Sequence, residues 1–348
     1  MKVRHFLLTF MIINTAVFIL HAEEKVININ GKISSIKVYK NFLYILNQTE
    51  NNIWRFDESL NLVSKIGQQG QGPGEISRLS DFNFVEDKIY TFSSGNRLLL
   101  FDLKGNLLSE SKFHDVNGSI LLLKNGKAVR KSREYSYDKG KAIVYTISFL
   151  DAKFNNLGTF LNERLIIPPK FEWEAVEPYI EVKYSEKAGL IFVSNPIRDY
   201  LIMVFDENGH QVGQIFKKNY GRVKADQSFK DRFLEAMLNS PDKPPTMNPD
   251  MIQALFKTLH FSKYLPAFES FYLDDEGNAY IRTFKKKGQN ALYEKYTPRG
   301  KFIKEYLLDD RLVDILATAR YIAFSATRFY YLYENEKGEY VLHIEKLE

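Results

Sequence analysis

Between Gly70 and Phe113 the apolar residues arrive in four short bursts separated by polar turns. Leu79, Phe82 and Phe84 fall in the first and Ile89, Tyr90 and Phe92 in the second; the third runs from Arg97 to Phe101 and the fourth from Leu107 to Phe113. The breaks between them are Glu86-Asp87-Lys88, Ser93-Ser94-Gly95-Asn96 and Asp102-Leu103-Lys104-Gly105-Asn106. Runs this short, rich in aromatic and β-branched residues and bounded by turn formers, predict strands. Gly70, Gly72, Pro73 and Gly74 predict a turn-rich loop ahead of them, because glycine reaches positive φ and proline removes a donor. Four antiparallel strands in about 40 residues have the size of one propeller blade.

Weaker copies of this unit run from end to end. The turn between third and fourth strands is the clearest marker, at Phe56-Asp57, Phe101-Asp102, Leu150-Asp151 and Phe205-Asp206, with a fifth copy at Tyr296-Thr297. From Asp57 to Asp102 is 45 positions, to Asp151 another 49, to Asp206 another 55, and from there to Thr297 is 91, one blade plus an insertion. A last copy ends after its third strand, at Glu339 to Leu347, while Lys25 to Asn30 is a spare strand at the other end. The expected fold is therefore all-β: a six-bladed propeller over 23–348 whose N-terminal strand completes the last blade, which removes an open sheet edge.

Two segments break the pattern. Glu163 to Ala175, with Pro168, Pro169 and Trp173, reads as a long connection. Within the expected insertion at 222–263, between blades four and five, Phe229, Phe233 and Met237 recur at helical spacing. Pro241, Pro244 and Pro245 break that run; Asn248 then caps a second helix that opens on Pro249 and repeats Ile252, Leu255, Phe256 and Leu259. A helical hairpin is expected, serving either as a cap on its own ring or as a docking element with Phe229 and Phe233 as contacts.

The residues Gly72-Pro73-Gly74-Glu75, the turn Gly95-Asn96-Arg97 and the turn Phe101-Asp102-x-x-Gly105 resemble an NHL repeat, with Arg97 where that repeat has histidine. The wider chain resembles bacterial six-bladed β-propeller proteins that carry NHL-like repeats. The resemblance implies ligand binding at the mouth of a central channel.

Residues 1–22 read as a signal peptide: Lys2 and Arg4 precede an apolar run from Phe6 to Leu20, and Ala22 stands before Glu23-Glu24-Lys25. As a helix of roughly 15 residues the run would reach only about 22 Å, short of the roughly 30 Å hydrocarbon core. An exported protein, periplasmic or extracellular and with no membrane span after cleavage, is expected, and a monomer.

Composition narrows the chemistry. There is no cysteine, hence no disulfide, thiolate nucleophile or lipidated cysteine, and a hydrophobic content of 45% supplies a core without them. The net charge of +5 drops to +3 without Lys2 and Arg4, and Lys285-Lys286-Lys287 reads as a solvated turn, so nucleic acid is not an expected partner. The six histidines lack metal-ligand spacing, and no Gly-x-Ser-x-Gly elbow or phosphate-binding loop is present. No cofactor is expected on the leading interpretation, a non-enzymatic binding or scaffold protein for a peptide, protein or glycan. Arg78, Arg97, Arg198 and Tyr200, near loops, are its candidate contacts. The alternative is a hydrolase or lactonase holding Ca²⁺ or Mg²⁺ on Asp81, Glu181 and Glu269, one carboxylate from each of three innermost strands. The same carboxylates would otherwise bond loop backbone or face channel water.

Overall fold

The computed structural model describes residues 22–347, except 30, 80, 94–95, 114–117, 139, 172, 197–198, 240–245, 289, 310–320 and 336. Residues 1–21 of the expected signal peptide, Arg198, His114 and the three prolines after the first insertion helix lie outside the described residues.

β1 (Ala22–Ile27) precedes the first blade, which is β2 (Ile33–Tyr39), β3 (Phe42–Asn47), β4 (Asn52–Phe56) and β5 (Leu62–Ile66). The second is β6 (Phe82–Val85), β7 (Lys88–Ser93), β8 (Arg97–Asp102) and β9 (Leu107–Lys112). The third is β10 (Ser119–Leu122), β11 (Ala128–Ser136), β12 (Ala142–Leu150) and β13 (Asn156–Ile166). After the short β14 (Trp173–Glu174) comes the fourth, β15 (Val182–Ser185), β16 (Leu190–Ser194), β17 (Leu201–Asp206) and β18 (Gln211–Phe216). Helices α1 (Gln227–Asn239) and α2 (Pro249–Lys257) and the short β19 (Leu259–His260) follow. The fifth blade is β20 (Ser270–Leu273), β21 (Ala279–Lys287), β22 (Asn290–Tyr296) and β23 (Phe302–Asp309). The last sheet holds β24 (Ile322–Phe324), β25 (Arg328–Glu334) and β26 (Tyr340–Lys346), with β1 antiparallel to β26. Trp173 and Glu174 pair in parallel with Leu259 and His260, tying the segment before blade four to the end of the helical segment.

The repeated turn works through its aspartate. Asp57, Asp102, Asp151 and Asp206 each accept from the backbone N–H groups two and four residues on, with N···O between 2.8 and 3.0 Å. A short side-chain acceptor that satisfies its own turn is why Asp recurs there. In the fifth copy the Thr297 hydroxyl accepts from Lys301 N at 3.0 Å.

The core lies between sheets. Leu46 and Ile53 of blade one meet Phe82, Ile89 and Leu99 of blade two. Ile143 and Tyr145 of blade three meet Ile191 and Val193 of blade four, and Phe192 and Val204 of blade four meet Phe271 and Ile281 of blade five. Tyr280 and Tyr293 of blade five meet Phe324 and Phe329 in the last sheet, whose Leu332 and Leu342 meet Ile36 and Ile45 of blade one. Outermost strands face water; every residue of β9 is exposed. Sheets that bury both faces against neighbours and leave a polar rim outside match the radial propeller plan.

One boundary differs from expectation. β13 runs on to Ile166, through Glu163, Arg164 and Leu165, because β12 extends back to Ala142 and supplies their partners Tyr145, Val144 and Ile143. Blade three therefore has longer strands than blade two, and the predicted connection is correspondingly shorter.

Candidate functional site

Strand direction alternates within a blade. The blade-to-blade connections and the middle hairpins therefore emerge on one face, and the first and third hairpins on the other. Near the axis, three first hairpins meet: the Tyr39 hydroxyl donates to Asp87 at 2.8 Å and to Glu186 at 3.3 Å, and Glu186 accepts from Glu86 N at 2.9 Å. Hydrogen bonds from blades one, two and four thus span that end of the channel. The connecting face carries the blade-to-blade loops.

Asp81, Glu181 and Glu269 occupy one repeated position on that face, the residue just before an innermost strand, with Lys32, Gly118 and Tyr321 at the same place in the other three blades. Gly118 is needed there: its φ is +115° and a Cβ would come within 2.2 Å of the Lys131 carbonyl oxygen. Each carboxylate is already held by a cation. Asp81 pairs with Lys37 at 2.9 Å, Glu181 with Lys183 at 3.0 Å, and Glu269 with the buried Arg282. Lys37 also donates to Asn83 Oδ1 at 2.6 Å and to the Phe82 carbonyl; Lys183 donates to the Phe271 carbonyl and lies over the Tyr272 ring, 4.6 Å from its centre. Burial holds the Lys37 ammonium below its ordinary pKa, opposed by Asp81 and reinforced by Lys183. Burial also lowers Lys131, here against the pull of Glu181. Among the described residues no group of three or more His, Asp or Glu could hold a metal ion. The three carboxylates expected to hold a metal thus stand on equivalent positions of the repeat, each in an ion pair of its own.

The candidate contacts fare differently from one another. Arg78 is exposed in the loop before Leu79. Arg97 is buried, its guanidinium forked onto Glu110 at 2.7 and 2.8 Å and onto the Gly72 carbonyl at 2.8 Å. That pairing, with Gly74 N donating as well, holds the Glu110 carboxyl down at about 2. Tyr200 is buried and donates to Glu294 at 2.8 Å. Phe229 and Phe233 are buried with Leu265 in a cluster that Met237, Phe256, Leu259 and Phe261 surround. Expected exposure of Arg97, Tyr200 and the two phenylalanines is therefore corrected. An arginine beside a carboxylate of the same blade, and apolar rings beside a ring of strands, bury with those partners first.

Beside this helical cluster lies a cleft of about 280 Å³. Its walls come from four chain segments: Leu165 at the end of β13 with Glu174, Val176 and Pro178; Pro196 after β16; Tyr220, Arg222 and Ala225 after β18; and Phe261 to Ala267 after β19. Arg222 Nε donates to the Tyr220 hydroxyl at 3.2 Å, and its guanidinium carbon lies 5.8 and 5.7 Å from the centres of the Tyr220 and Tyr264 rings. No carboxylate pairs with it among the described residues. Glu174 is taken by His260 at 2.5 Å, with the Phe171 ring packed on that imidazole. Next to the cleft, Trp173 and Tyr135 meet edge to face at 5.7 Å, both exposed, with Tyr137, Ile166 and Tyr179 exposed nearby in the chain. Sequence inspection passed over Arg222, Tyr220 and Tyr264 and took Trp173 only as part of a connection. The available signal was their place: they flank the two irregular segments, where an insertion has to rejoin its ring.

Comparison with known proteins agrees with this architecture. A family described as 6-bladed beta-propeller matches residues 19–174. That match covers less than half of the chain. In fold, with six four-stranded sheets, the chain is a six-bladed β-propeller. No curated protein matches it. Among solved structures, the propeller is similar to a protein of Bacteroides fragilis NCTC 9343 (BF0058) thought to be exported. The TM-score is 0.54 at 15% identity, covering 94% of this chain and 95% of that one. A second likeness, to the WD40 beta propeller domain of Doa1, has a TM-score of 0.39 at 10% identity over 91% of this chain and 80% of that one, too slight to carry an argument. No helix among the described residues is long and apolar enough to cross a membrane.

Proposed function

We propose that this propeller is an exported, non-enzymatic binding protein that recognises a peptide, protein or glycan at its connecting face, in the cleft between the helical segment and blades three to five. The observation that carries this reading is the Arg222 guanidinium, set between two tyrosine rings in a concave wall and lacking a carboxylate partner among the described residues. An unpaired cation among rings, next to exposed Trp173, is the composition of a recognition surface. The wider frame belongs to the same reading: β1 closes the ring through β26, blade two is an NHL-like repeat with weaker copies in the other blades, and the helices belong to an insertion between blades four and five whose two ends wall the cleft. Export rests on the N-terminal residues and on the likeness to a Bacteroides protein thought to be exported.

Titration calorimetry against a panel of oligosaccharides and peptides tests it, using the chain from Glu23 onward and its Tyr264→Ala variant. Binding of at least one panel member, lost in the variant, is expected. Binding that Tyr264→Ala leaves untouched would move the site elsewhere, and turnover of a bound panel member would end the non-enzymatic interpretation.

A further inference from the structure

Resting on that cleft as the binding site, we propose that its ligand is an acidic carbohydrate, a glycan whose carboxylates are read by Arg222 and whose sugar rings stack along the Trp173–Tyr135 ledge. Three observations converge on this. The first is the balance of charge. Arg222, Lys224 and Lys263 cluster at the cleft without an ion pair among the described residues, Arg222 and Lys263 lining it. The acids beside them are engaged: Glu174 with His260, and Glu177 with Arg133 at 2.7 and 2.6 Å and with the Tyr145 hydroxyl. A concave surface with surplus positive charge and occupied carboxylates favours an anionic ligand, and a guanidinium fork suits a carboxylate.

The second observation is the ledge. Tyr137 is 72% exposed, Tyr179 54%, Trp173 42% and Tyr135 37%. They follow from the overlong β11–β12 hairpin and from the segment around β14, and their chain neighbours Glu174 and Pro178 line the cleft. Arg133 lies over the Tyr135 ring at 4.8 Å and Lys141 over the Trp173 ring at 5.3 Å, and both rings remain exposed beside them; exposed aromatic surface at one end of a fold marks an interaction site, and flat rings with polar tips offer both stacking and hydrogen bonds to a sugar ring. At about 280 Å³ the cleft sits below the roughly 300–1,000 Å³ usual for ligand pockets, which suits one residue of a chain whose neighbours lie on the ledge.

The third observation separates a glycan from a peptide. An extended peptide commonly docks by adding a strand to an open edge. The backbone around this cleft is already paired: Ala175 N donates to the His260 carbonyl at 2.7 Å, Ala225 N to that of Lys263 at 3.2 Å and Leu265 N to that of Val223 at 2.9 Å, while β14 is paired with β19. These rungs are taken, and what the cleft wall adds beside them is ring faces and cations.

The test uses calorimetry with oligomers of galacturonate, mannuronate and glucuronate, the methyl esters of the same oligomers, and poly-L-glutamate. At least one uronate oligomer is expected to bind, with affinity falling as salt is raised. Methyl esterification or Arg222→Ala should each weaken it about tenfold, the loss of one charge-assisted contact; Arg222→Lys should recover part of the loss. Trp173→Ala should weaken the acid and its ester alike. Equal binding of acid and ester would overturn carboxylate recognition while leaving a glycan site standing. Arg222-dependent binding of poly-L-glutamate alone would replace the glycan by an acidic peptide. No binding by any of the three uronates would overturn the inference, and the wider panel would then decide the cleft on its own. Thermal melts of each variant show whether a lost affinity is a lost fold.

Discussion

Blade two and the crown beside blade four, the cleft with its aromatic ledge, use the same kinds of side chain to opposite ends. In blade two, Arg97 is buried and forked onto Glu110, Gly72 and Gly74 join the same network, and the rings of Phe82 and Phe84 pack against Tyr44 of the blade before. In the crown, Arg222 has two tyrosine rings and, among the described residues, no acid, while Trp173 and Tyr137 stay exposed, with Lys141 Nζ 5.3 Å from the centre of the Trp173 ring. The difference follows from length. Blade two has strands of four to six residues, and its polar residues find partners within the blade or in the blade beside it; blade three has strands of nine and eleven residues that overrun their neighbours, and the segments after β13 and β18 must cover the overhang. A blade that fits the ring satisfies itself. Where the chain exceeds the ring, side chains are left over for something else.

That contrast can be broken at its strongest point first. Phe82→Ala removes a ring buried between blades one and two, and chemical denaturation should show a loss of about 3–5 kcal/mol, with no change in ligand affinity once the protein is folded. A loss under about 1 kcal/mol would mean that the blades are not the stabilising unit.

A smaller effect is expected where the two regions meet. Glu294 of blade five is buried and accepts from Lys217 at 2.6 Å, Tyr200 at 2.8 Å and Tyr296 at 2.7 Å, bolting blade four to blade five next to the cleft. Burial alone would raise its carboxyl; Lys217 and the two hydroxyls outweigh this, and its pKa lies below the ordinary value of 4.5. Its stabilisation is therefore complete above about pH 4.5 and disappears as pH falls through the lower folded value. Glu294→Ala should cost about 2 kcal/mol at pH 7. Denaturation midpoints should converge for the two proteins in more acid solution; a difference that grows on acidification would contradict this account.

The smallest effect lies at the crown itself. Trp173→Ala and Arg222→Ala should each change stability by no more than about 0.5 kcal/mol, since neither removes buried contacts or leaves a buried charge. Thermal melts check this directly. A large destabilisation would show that the ledge braces the fold, and the contrast with blade two would dissolve.

The sequence by itself determined the repeating unit. Strand-length apolar bursts and a turn whose aspartate satisfies its own backbone are local features, written within six residues each, and so the innermost strands and both helices, including the Asn248 cap that accepts from Met251 N at 2.9 Å, were legible. The positions of Asp81, Glu181 and Glu269 were legible for the same reason, as equivalent points of a repeat. Which partner each would take was not. Lys37 reaches Asp81 from the neighbouring blade and Arg282 reaches Glu269 from the adjacent strand, and such pairings depend on the sheet register and on blade-to-blade spacing. The cleft was hidden further still. It needs Leu165, Arg222 and Tyr264 together, residues about 100 positions apart at the extremes, and only the docking of two irregular segments onto the ring brings them to one wall. Local pattern sets the blades; the leftover surface between blades is a property of their assembly.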